Sequence, residues 1–575
     1  MTTPRGDDVD STDQPTDSLD GAATSADTNA SRRRFLAGLG VGGVILGAPA
    51  VAAAQTQRGD GRRDRDGRRG SDRHDGGRLP DLNQGLDPTP VAPTQPVLAP
   101  NDGVNRFVRI FDGPVFAEPS DELTEALVEV GRPGGIMDAN DPLEVGPIRL
   151  IAEPELSPNN RDNPTHTAGS TFIGQFLDHD ITSDAGSPLG VPLPESASQN
   201  LRSARFDLDS VYGGGPDVSP HLYHDGRDRY GQFRIESGGL FEDLPRAVDG
   251  SAIVAEARND ENLIISGLQV AFLSFHNAML RDLAPRRGNR REAFFLAQRT
   301  VRWHYQWLIL HQFLPQYVGQ AMVDDVLSRG RQFYTSPIAQ IPLEFQTAAY
   351  RFGHSMIRPS YRANLAGDNG EPFFALVFDL GELGKPDPDD LTGRHRAPRR
   401  FIGWQTFFDF ADGEVKPNKR VDTSISTPMF NLPTSTISSP SGQPLGPLSL
   451  PTRNLLRHTT WQLPSGQYIA QQMGTDPLAT ADLADIGGIL GSLATSTPLW
   501  FYILREADIF SGGLHLGPVG GRLVAEVFIG LLQNDPMSFL NAAPGWTPTL
   551  PSRTGEFRMA DLLTVAGVDP ISRGQ

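Results

Sequence analysis

The stretch GQFLDHDITSD, residues 174–184, places two carboxylates and an imidazole among apolar residues typical of a protein core. A fold that buries Asp178, His179 and Asp180 must compensate their lost hydration with metal, hydrogen bonds or covalent chemistry. Residues three or four apart share one face of a helix, so Gln175, Asp178 and His179 are expected to face one cavity. Taken alone, a buried histidine beside an aspartate is more often a satisfied core pair than a functional site.

The composition excludes several classes of protein. The chain has 575 residues, of which 38% are hydrophobic, and this is enough for a large core. Its net charge of −18 argues against a nucleic-acid partner, because polyphosphate would be repelled. The absence of cysteine excludes disulfides, iron–sulfur clusters, thiolate-ligated haem and CxxCH attachment. Any metal must therefore be held by histidine, carboxylate or carbonyl groups.

The N-terminus has the pattern of an export signal. The run SRRRFLAG, residues 31–38, contains Arg32 and Arg33, and a weakly apolar, glycine-rich segment follows it. The pattern predicts a twin-arginine signal peptide over residues 1–54, with cleavage before Gln55 and the twin-arginine export machinery as a partner. The chain is then expected to be secreted or to lie in the cell envelope, without a stable membrane span. The alternative is a single membrane anchor.

The remaining chain divides into a linker and a large helical domain. Residues 55–100 are rich in arginine, aspartate and glycine and then in proline, which predicts a disordered linker. Residues 101–575 are assigned to one domain. Apolar residues recur at three- and four-residue spacing over residues 263–283 and 291–318, which predicts long helices and a mainly α fold.

Three further pairs of polar residues are spaced three apart. Each has an ordinary interpretation: a surface ion pair, a structural histidine on an apolar helix, and a surface turn. They are Arg258 with Glu261, Arg351 with His354, and Asn454 with Arg457.

A loop at residues 203–216 carries alternating acidic residues before a glycine turn. Oxygen ligands such as those of Asp207 and Asp209 suit calcium. An EF-hand is excluded, because Val211 and Tyr212 stand where it needs an oxygen ligand and a glycine. A solvated acidic turn is the ordinary alternative.

The combination and order of these motifs carry more information than any one of them. GQFLDHD, an acidic loop ending in DSVYG, then RxxE, RFGH and an asparagine with an arginine three residues later resemble the animal-type haem peroxidases. These belong to the peroxidase–cyclooxygenase superfamily. The resemblance extends over residues 107–570. It implies a large, mainly α domain with haem b between central helices, in a bacterial exported member that lacks the disulfides of the animal enzymes.

The resemblance assigns the distal side of the haem. It implies His179 as the distal histidine, Arg258 as the distal arginine and Gln175 as the glutamine that helps bind water or an anion. The chemistry agrees, since a neutral imidazole can move a proton between the two oxygens of hydrogen peroxide. A guanidinium beside it can stabilise developing negative charge.

The resemblance also assigns the proximal side. It implies His354 as the iron ligand and Asn454 as the acceptor for its other ring nitrogen. Arg351 and Arg457 match arginines that pair with the haem propionates, which need cationic partners when buried.

Two carboxylates match residues that form ester bonds with haem methyl groups in the mammalian enzymes. They are Asp178 and Glu261, so ester-linked haem is an expectation. A third link, through a methionine after the glutamate, is not expected because Asn262 stands there.

The resemblance further implies a calcium site beside the distal histidine. Its ligands would be Asp180, Ser203, the carbonyl oxygen of Arg205, Asp207 and Asp209. The family usually has an aromatic residue at position 205 and serine or threonine at position 209. Aspartate is an equally good oxygen ligand there.

The expected function is a haem peroxidase that uses hydrogen peroxide to oxidise a halide, thiocyanate or a small organic donor, in a response to oxidative stress. One alternative is a fatty-acid dioxygenase, which uses a tyrosine three residues before the proximal histidine. Arg351 occupies that position here, and Tyr350 is one step away from it. The other alternative is a haem-binding protein without turnover, although such a carrier has no need of both His179 and Arg258.

Overall fold

The computed structural model describes residues 106–575 except 158–160, 185–186 and 438–445. These residues fall within one compact unit. The predicted signal peptide and linker, residues 1–100, lie outside the described residues. About 48% of the structure is helical, so the prediction of a mainly α fold is confirmed.

The helices are numbered here in chain order. They are α1 Asp121–Val130, α2 Pro147–Ala152, α3 Gly169–Ile181, α4 Asp209–Tyr212, α5 Leu263–Arg287, α6 Arg290–Leu308, α7 Leu314–Val318, α8 Gln320–Arg329, α9 Leu343–Thr347, α10 Thr434–Ile437, α11 Leu450–Thr460, α12 Gly466–Gln472, α13 Ala484–Ile489, α14 Leu499–Ser511, α15 Pro518–Asn534, α16 Phe539–Ala542, α17 Met559–Ala566 and α18 Pro570–Arg573. A π-helical segment, Ile309–Phe313, joins α6 to α7, so the helix predicted over residues 291–318 is interrupted near its end.

The strands form three small antiparallel pairs among the described residues. They are β1 Asp162–Thr167 with β6 Pro417–Lys419, β2 Glu236–Ser237 with β3 Glu242–Asp243, and β4 Ser360–Asp368 with β5 Glu371–Leu376. The register pairs Asp162 with Lys419, Glu236 with Asp243, and Ser360 with Leu376. Residues of β4 and β5 such as Tyr361, Ala363 and Phe373 belong to the hydrophobic core.

Helix α5 is a long helix whose apolar residues belong to the core. The side chain of Asn262 caps its N-terminus by accepting hydrogen bonds from the amides of Ile264 and Ile265. The helical segment 263–285 is long enough and apolar enough to cross a membrane. However, 83% of its most apolar 18-residue stretch is buried inside the fold. The helix is therefore the core helix of this domain.

Helix α3, which carries residues 174–181, packs directly against α5. The rings of Phe176 and Phe272 stack with centroids 4.7 Å apart. On another side of α3, the hydroxyl of Tyr350 donates to the carbonyl oxygen of Gly174 at 2.9 Å. These contacts fix α3 between the core helix and the segment that carries His354.

The segment around His354 differs from the sequence-based prediction. The motif was expected on an apolar α-helix, but residues Ala349–Met356 form a 3-10 helix that follows α9. In a 3-10 helix, residues three apart eclipse one another, so Arg351 and His354 still project from one side. Similarly, Asn454 and Arg457 lie on helix α11 and not on a surface turn.

Candidate active site

His179 lies on the buried side of α3 with each ring nitrogen in a different environment. Its Nδ1 is 2.9 Å from Oδ1 of Asn259, and its Nε2 is 3.7 Å from Oε1 of Glu261. Burial, followed by the charge of Arg258, lowers the pKa of His179 to about 3. The imidazole is therefore neutral near pH 7 and can accept a proton.

Arg258 lies beside His179 but is held by several partners. Its guanidinium donates to the carboxylate of Glu256 and to the carbonyl oxygens of His179 and Thr182, at 2.9–3.2 Å. It also lies 3.5 Å from a carboxylate oxygen of Asp178. Burial raises the pKa of Glu256, but Arg258 and Arg202 together lower it to about 2. The arginine is thus fixed next to the histidine by a buried ion pair.

Gln175 and Glu261 meet on the same side of α3 as His179. The amide of Gln175 donates to Glu261, and Asn262 donates to Oε1 of Gln175 at 3.3 Å. Burial raises the pKa of Glu261 to about 7, although Arg258 opposes the shift. A carboxyl group with this pKa can lose or hold a proton at neutral pH.

A second set of contacts fixes the 3-10 helix Ala257–Asp260, which carries Arg258 and Asn259. Asp260 accepts two hydrogen bonds from Arg246, at 2.7 and 3.0 Å, and one from Ser266 at 2.7 Å. The amide of Gly393 donates to the carbonyl oxygen of Glu261 at 3.0 Å. A Cβ at Gly393 would lie 1.9 Å from the carbonyl oxygen of Asp260, so only glycine permits this approach.

Asp178 links the two halves of the site. Burial raises its pKa, while the positive charges of Arg258, Arg351 and Arg457 lower it. The side chain of Asp178 is 40% exposed and that of Glu261 is 22% exposed. Both carboxylates therefore line a cleft that solvent enters.

His354 is half-buried on the other side of this cleft. Nδ2 of Asn454 lies 2.8 Å from its Nδ1, while Oδ1 of Asn454 accepts from Arg351 at 3.3 Å. Asn454 was predicted to be the acceptor for His354, but it turns its amide nitrogen to the ring. The reason is that the guanidinium of Arg351 can only donate and therefore takes the oxygen. Burial, then Arg351, lowers the pKa of His354 to about 3.

Positive charge accumulates beside His354. Burial, then Arg457, lowers the pKa of Arg351 to about 9 and that of Arg453 to about 10. Arg457 itself is paired with Asp184 at 2.8 Å. A pocket in which neighbouring arginines disfavour each other's charge is suited to an anionic group.

The acidic loop meets α3 as the sequence predicts. Carboxylate oxygens of Asp180, Asp207 and Asp209 lie within 4.8 Å of one another. Burial, then Asp209 and Asp207, raises the pKa of Asp180 well above its usual value. Burial, then Asp207, raises the pKa of Asp209 to about 6. Three carboxylates so close together repel one another unless a cation or protons neutralise them.

The remaining predicted ligands lie on the same loop. Ser203 donates from its hydroxyl to Asp207 at 3.1 Å and from its amide to Asp209 at 3.2 Å. Arg205 is half-buried on this loop. Asp180 also accepts hydrogen bonds from Ser210 at 2.9 Å and from Tyr305 at 3.0 Å.

Sequence reasoning missed several residues of the site. Asn259, Glu256 and Asp184 contact His179, Arg258 and Arg457, respectively. In the sequence, Asn259 and Glu256 are polar residues within two positions of Arg258. This proximity to Arg258 was the only indication that they belong to the site. Their partners became evident only in three dimensions.

Comparison with known proteins supports the same interpretation. Residues 192–373 match the family model described as animal haem peroxidase. This range includes the acidic loop, Arg258, Glu261, Arg351 and His354. The resemblance to the animal haem peroxidase family is confirmed.

Relatives of this peroxidase family are similar to parts of the chain. Peroxidase mlt-7 of Caenorhabditis elegans is 30% identical over 208 residues, which are 33% of this chain and 28% of that protein. A peroxidase-like protein of Margaritifera margaritifera is 23% identical over 269 residues, 36% of this chain and 34% of that protein. The chain thus spans about a third of the length of these curated relatives.

Solved structures share the peroxidase fold. Peroxidase A of Dictyostelium discoideum has a TM-score of 0.55 and 15% identity, and the match covers 80% of this chain and 93% of that chain. A fatty acid alpha-dioxygenase of Oryza sativa, solved with palmitic acid, has a TM-score of 0.51 and 14% identity, with 79% and 78% covered. At these identities the likeness concerns the fold.

The residues around the cleft fit the haem that the animal haem peroxidase family implies. His354 offers an imidazole, and the neighbouring Arg351 and Arg457 offer positive charge for propionates. A Cβ at Gly353, next to His354, would meet no atom within 4 Å, so there is open space beside the histidine. The oxygen-rich group of Asp180, Asp207 and Asp209 fits a calcium ion in the same way.

Proposed function

We propose that this protein is a haem peroxidase that reduces hydrogen peroxide and oxidises a small donor such as a halide, thiocyanate or a phenol. One observation carries the proposal: His179, which burial keeps neutral, lies beside Arg258 and Asp178, and the half-buried His354 lies beside Asn454 and Arg351. The site therefore offers a base in His179 and, in His354, an imidazole that would ligate the haem iron.

The residues on the side of His179 would handle the peroxide. His179 would take a proton from one peroxide oxygen at Nε2 and return it to the departing oxygen, so that water leaves. Arg258 would stabilise the negative charge that develops on that oxygen. Gln175, fixed by Glu261 and Asn262, would orient water or an anion nearby. The haem supplies the electrons that break the oxygen–oxygen bond.

The residues on the side of His354 would hold the cofactor. Iron would take the unprotonated Nε2 of His354, so Nδ1 would carry the ring proton. Asn454 would then need to turn its oxygen toward Nδ1, which releases Arg351 to pair with a propionate beside Arg457. Ester bonds to the haem would come from Asp178 and Glu261, which are partly exposed beside Arg258 and His179, respectively.

Calcium is proposed at the acidic cluster. Asp180, Ser203, Asp207, Asp209 and the carbonyl oxygen of Arg205 would hold it. Because Asp180 directly follows His179 in α3, a cation there would fix the helix that carries the base. Export by the twin-arginine route, and a place outside the cytoplasm, complete the proposal.

A fatty-acid dioxygenase is the second candidate, because the fold is also similar to that of a fatty acid alpha-dioxygenase. The position three before His354 is Arg351, which cannot form a tyrosyl radical. Tyr350 donates its hydroxyl to a helix carbonyl and is almost fully buried. These contacts favour the peroxidase.

The test compares the haem-loaded protein with two variants. His179→Ala should keep its haem but react with hydrogen peroxide roughly 10²- to 10⁴-fold more slowly in stopped-flow absorbance. His354→Ala should lose bound haem, and added imidazole should restore it. The control His458→Asn changes a buried histidine whose Nε2 accepts from the amide of Trp500 and should retain both properties. Unchanged peroxide reactivity of His179→Ala, or oxygen uptake with linoleate without peroxide, would reject the proposal.

A further inference from the structure

The side chain of Asn259 forms a hydrogen bond with the ring of His179. None of the sequence motifs assigned a role to Asn259. Both side chains are buried, with 0% exposure for Asn259 and 3% for His179. The Asn259 Oδ1 to His179 Nδ1 distance of 2.9 Å is that of a good hydrogen bond. Asn259 follows Arg258 directly, so the 3-10 helix Ala257–Asp260 supplies both an arginine and an amide to the histidine.

The amide of Asn259 is itself oriented by another buried residue. Its Nδ2 donates to Oε1 of Gln269 on α5 at 2.8 Å. Because an amide has one oxygen and one NH₂ group, this bond directs the oxygen of Asn259 toward His179. Gln269 is 1% exposed and lies on helix α5, so the side chain that orients Asn259 is itself buried in the core.

This arrangement decides which nitrogen of His179 carries the proton. An amide oxygen only accepts, so Nδ1 of the neutral ring must be the protonated nitrogen. Nε2 then presents its lone pair on the side of Glu261 and the cleft. With the proton on the other nitrogen, His179 could not accept a proton from a ligand in the cleft.

We propose that Asn259 is a positioning residue that holds His179 in the Nδ1-protonated tautomer, and that Gln269 orients Asn259 for this task. The inference rests on the proposed peroxidase function for its catalytic meaning. The tautomer itself does not depend on turnover and can be tested separately.

The decisive experiment is a double-mutant cycle in the haem-loaded protein at one fixed pH. Asn259→Asp keeps an oxygen acceptor toward His179. Because both terminal atoms of the aspartate are oxygens, either orientation of its carboxylate accepts from His179, and Gln269 is no longer needed to orient it. Asn259→Leu removes the acceptor. Gln269→Leu frees the amide of Asn259 to turn its NH₂ group to the ring and select the wrong tautomer.

The rate of reaction with hydrogen peroxide gives the first measurement. Asn259→Leu should slow the reaction roughly 10- to 100-fold, and Gln269→Leu by roughly 10-fold. Asn259→Asp should retain most of the rate, and adding Gln269→Leu to it should cause no further loss. An equal loss from Gln269→Leu in both backgrounds would mean a purely structural role and would overturn the inference.

The second measurement needs no turnover. Carbon monoxide bound to the ferrous protein has an infrared C–O stretching band that shifts to lower frequency when a neighbouring N–H donates to it. The wild type and Asn259→Asp should show the unshifted band, whereas Asn259→Leu and Gln269→Leu should show a shifted component. An identical band in all four proteins would contradict the inference. The predicted band pattern in a protein inert to peroxide would support Asn259 while rejecting the peroxidase function.

The control variant is Asn277→Asp. Asn277 lies on the same helix as Gln269, and its side-chain amide exchanges hydrogen bonds with the backbone of Phe233. Asn277→Asp should leave the C–O stretching band and the rate of reaction with hydrogen peroxide unchanged. A change equal to that in Asn259→Leu would show that the changes in band and rate are not specific to the contact with His179.

Discussion

The hydroxyl of Tyr350 donates to the carbonyl oxygen of Gly174 at 2.9 Å and so joins the segment of His354 to the helix of His179. The two sides of the cleft are thereby connected by one side chain. Tyr350 also stacks on Phe345, with ring centroids 4.8 Å apart, and burial raises its pKa well above the usual value for tyrosine. The phenol is therefore a neutral donor over the whole working pH range.

Replacing Tyr350 with phenylalanine should lower the free energy of unfolding by about 1 kcal/mol, because one buried hydrogen bond is lost. Denaturant unfolding of the haem-loaded protein measures the change. Tyr468→Phe is the matched control, since the hydroxyl of Tyr468 donates to the carbonyl oxygen of Asp112 at an exposed site and water can replace it. Loss of fatty-acid oxygenation in Tyr350→Phe would instead favour the dioxygenase alternative.

The carboxylates of Asp178 and Glu261 should retain the haem covalently. Acid–organic extraction of the peroxide-treated holoprotein should leave haem attached, and the intact mass should include it. Each single variant, Asp178→Asn or Glu261→Gln, should keep one link, and the double variant should release the haem completely. Complete extraction of haem from the wild-type protein would contradict the ester hypothesis.

Calcium removal should destabilise the fold around α3. A ligand that binds only the folded state stabilises it by about 2.7 kcal/mol at 100 times its Kd, so chelation should lower the melting temperature measurably. Asp207→Asn should melt at a lower temperature and respond little to chelator. Asp217→Asn, which changes an exposed aspartate paired with Arg291, should behave as the wild type. Equal melting temperatures with calcium and with chelator would contradict the assignment.

Glu506 should make stability depend on pH. It accepts hydrogen bonds from the amides of Val519 and Gly520 at the start of α15, yet burial raises its pKa to about 7. The folded state therefore binds this proton more tightly than the unfolded state. The stabilisation is fully present below pH 4.5 and is lost as the pH rises through 7, by about 3 kcal/mol.

Glu506→Gln cannot titrate and should flatten this part of the curve. Denaturant unfolding at intervals between pH 4.5 and 7.5 gives the comparison. If the wild type and the variant lose stability in parallel over this range, Glu506 is not the group responsible.

The sequence predicts the parts of this molecule that depend on local pattern. Apolar periodicity predicts the core helix α5, and the order of motifs predicts which polar residues meet. The acidic loop and Asp180 come together as expected, although Asp180 and Asp207 are separated by 27 positions in the chain.

Long-range hydrogen bonds were beyond sequence reasoning. Asn259 and His179 are 80 positions apart, and neither periodicity nor spacing indicates which amide faces which ring. The 3-10 helix at His354 was also missed, because its residues have the same apolar pattern as an α-helix. The orientation of Asn454 depends on competition between Arg351 and His354 for one oxygen, and no one-dimensional pattern records such a competition.

Helix α5 also bears on the export route that the sequence predicts. A protein threaded unfolded through a translocation channel would present residues 263–285 as a bare apolar segment, which the lipid bilayer could retain. Once the domain has folded, the same residues are enclosed by their neighbours and offer nothing to lipid. A buried apolar helix of this kind is a physical reason for a chain to fold before it is transported. Proteins that use the route predicted from Arg32 and Arg33 are transported in the folded state.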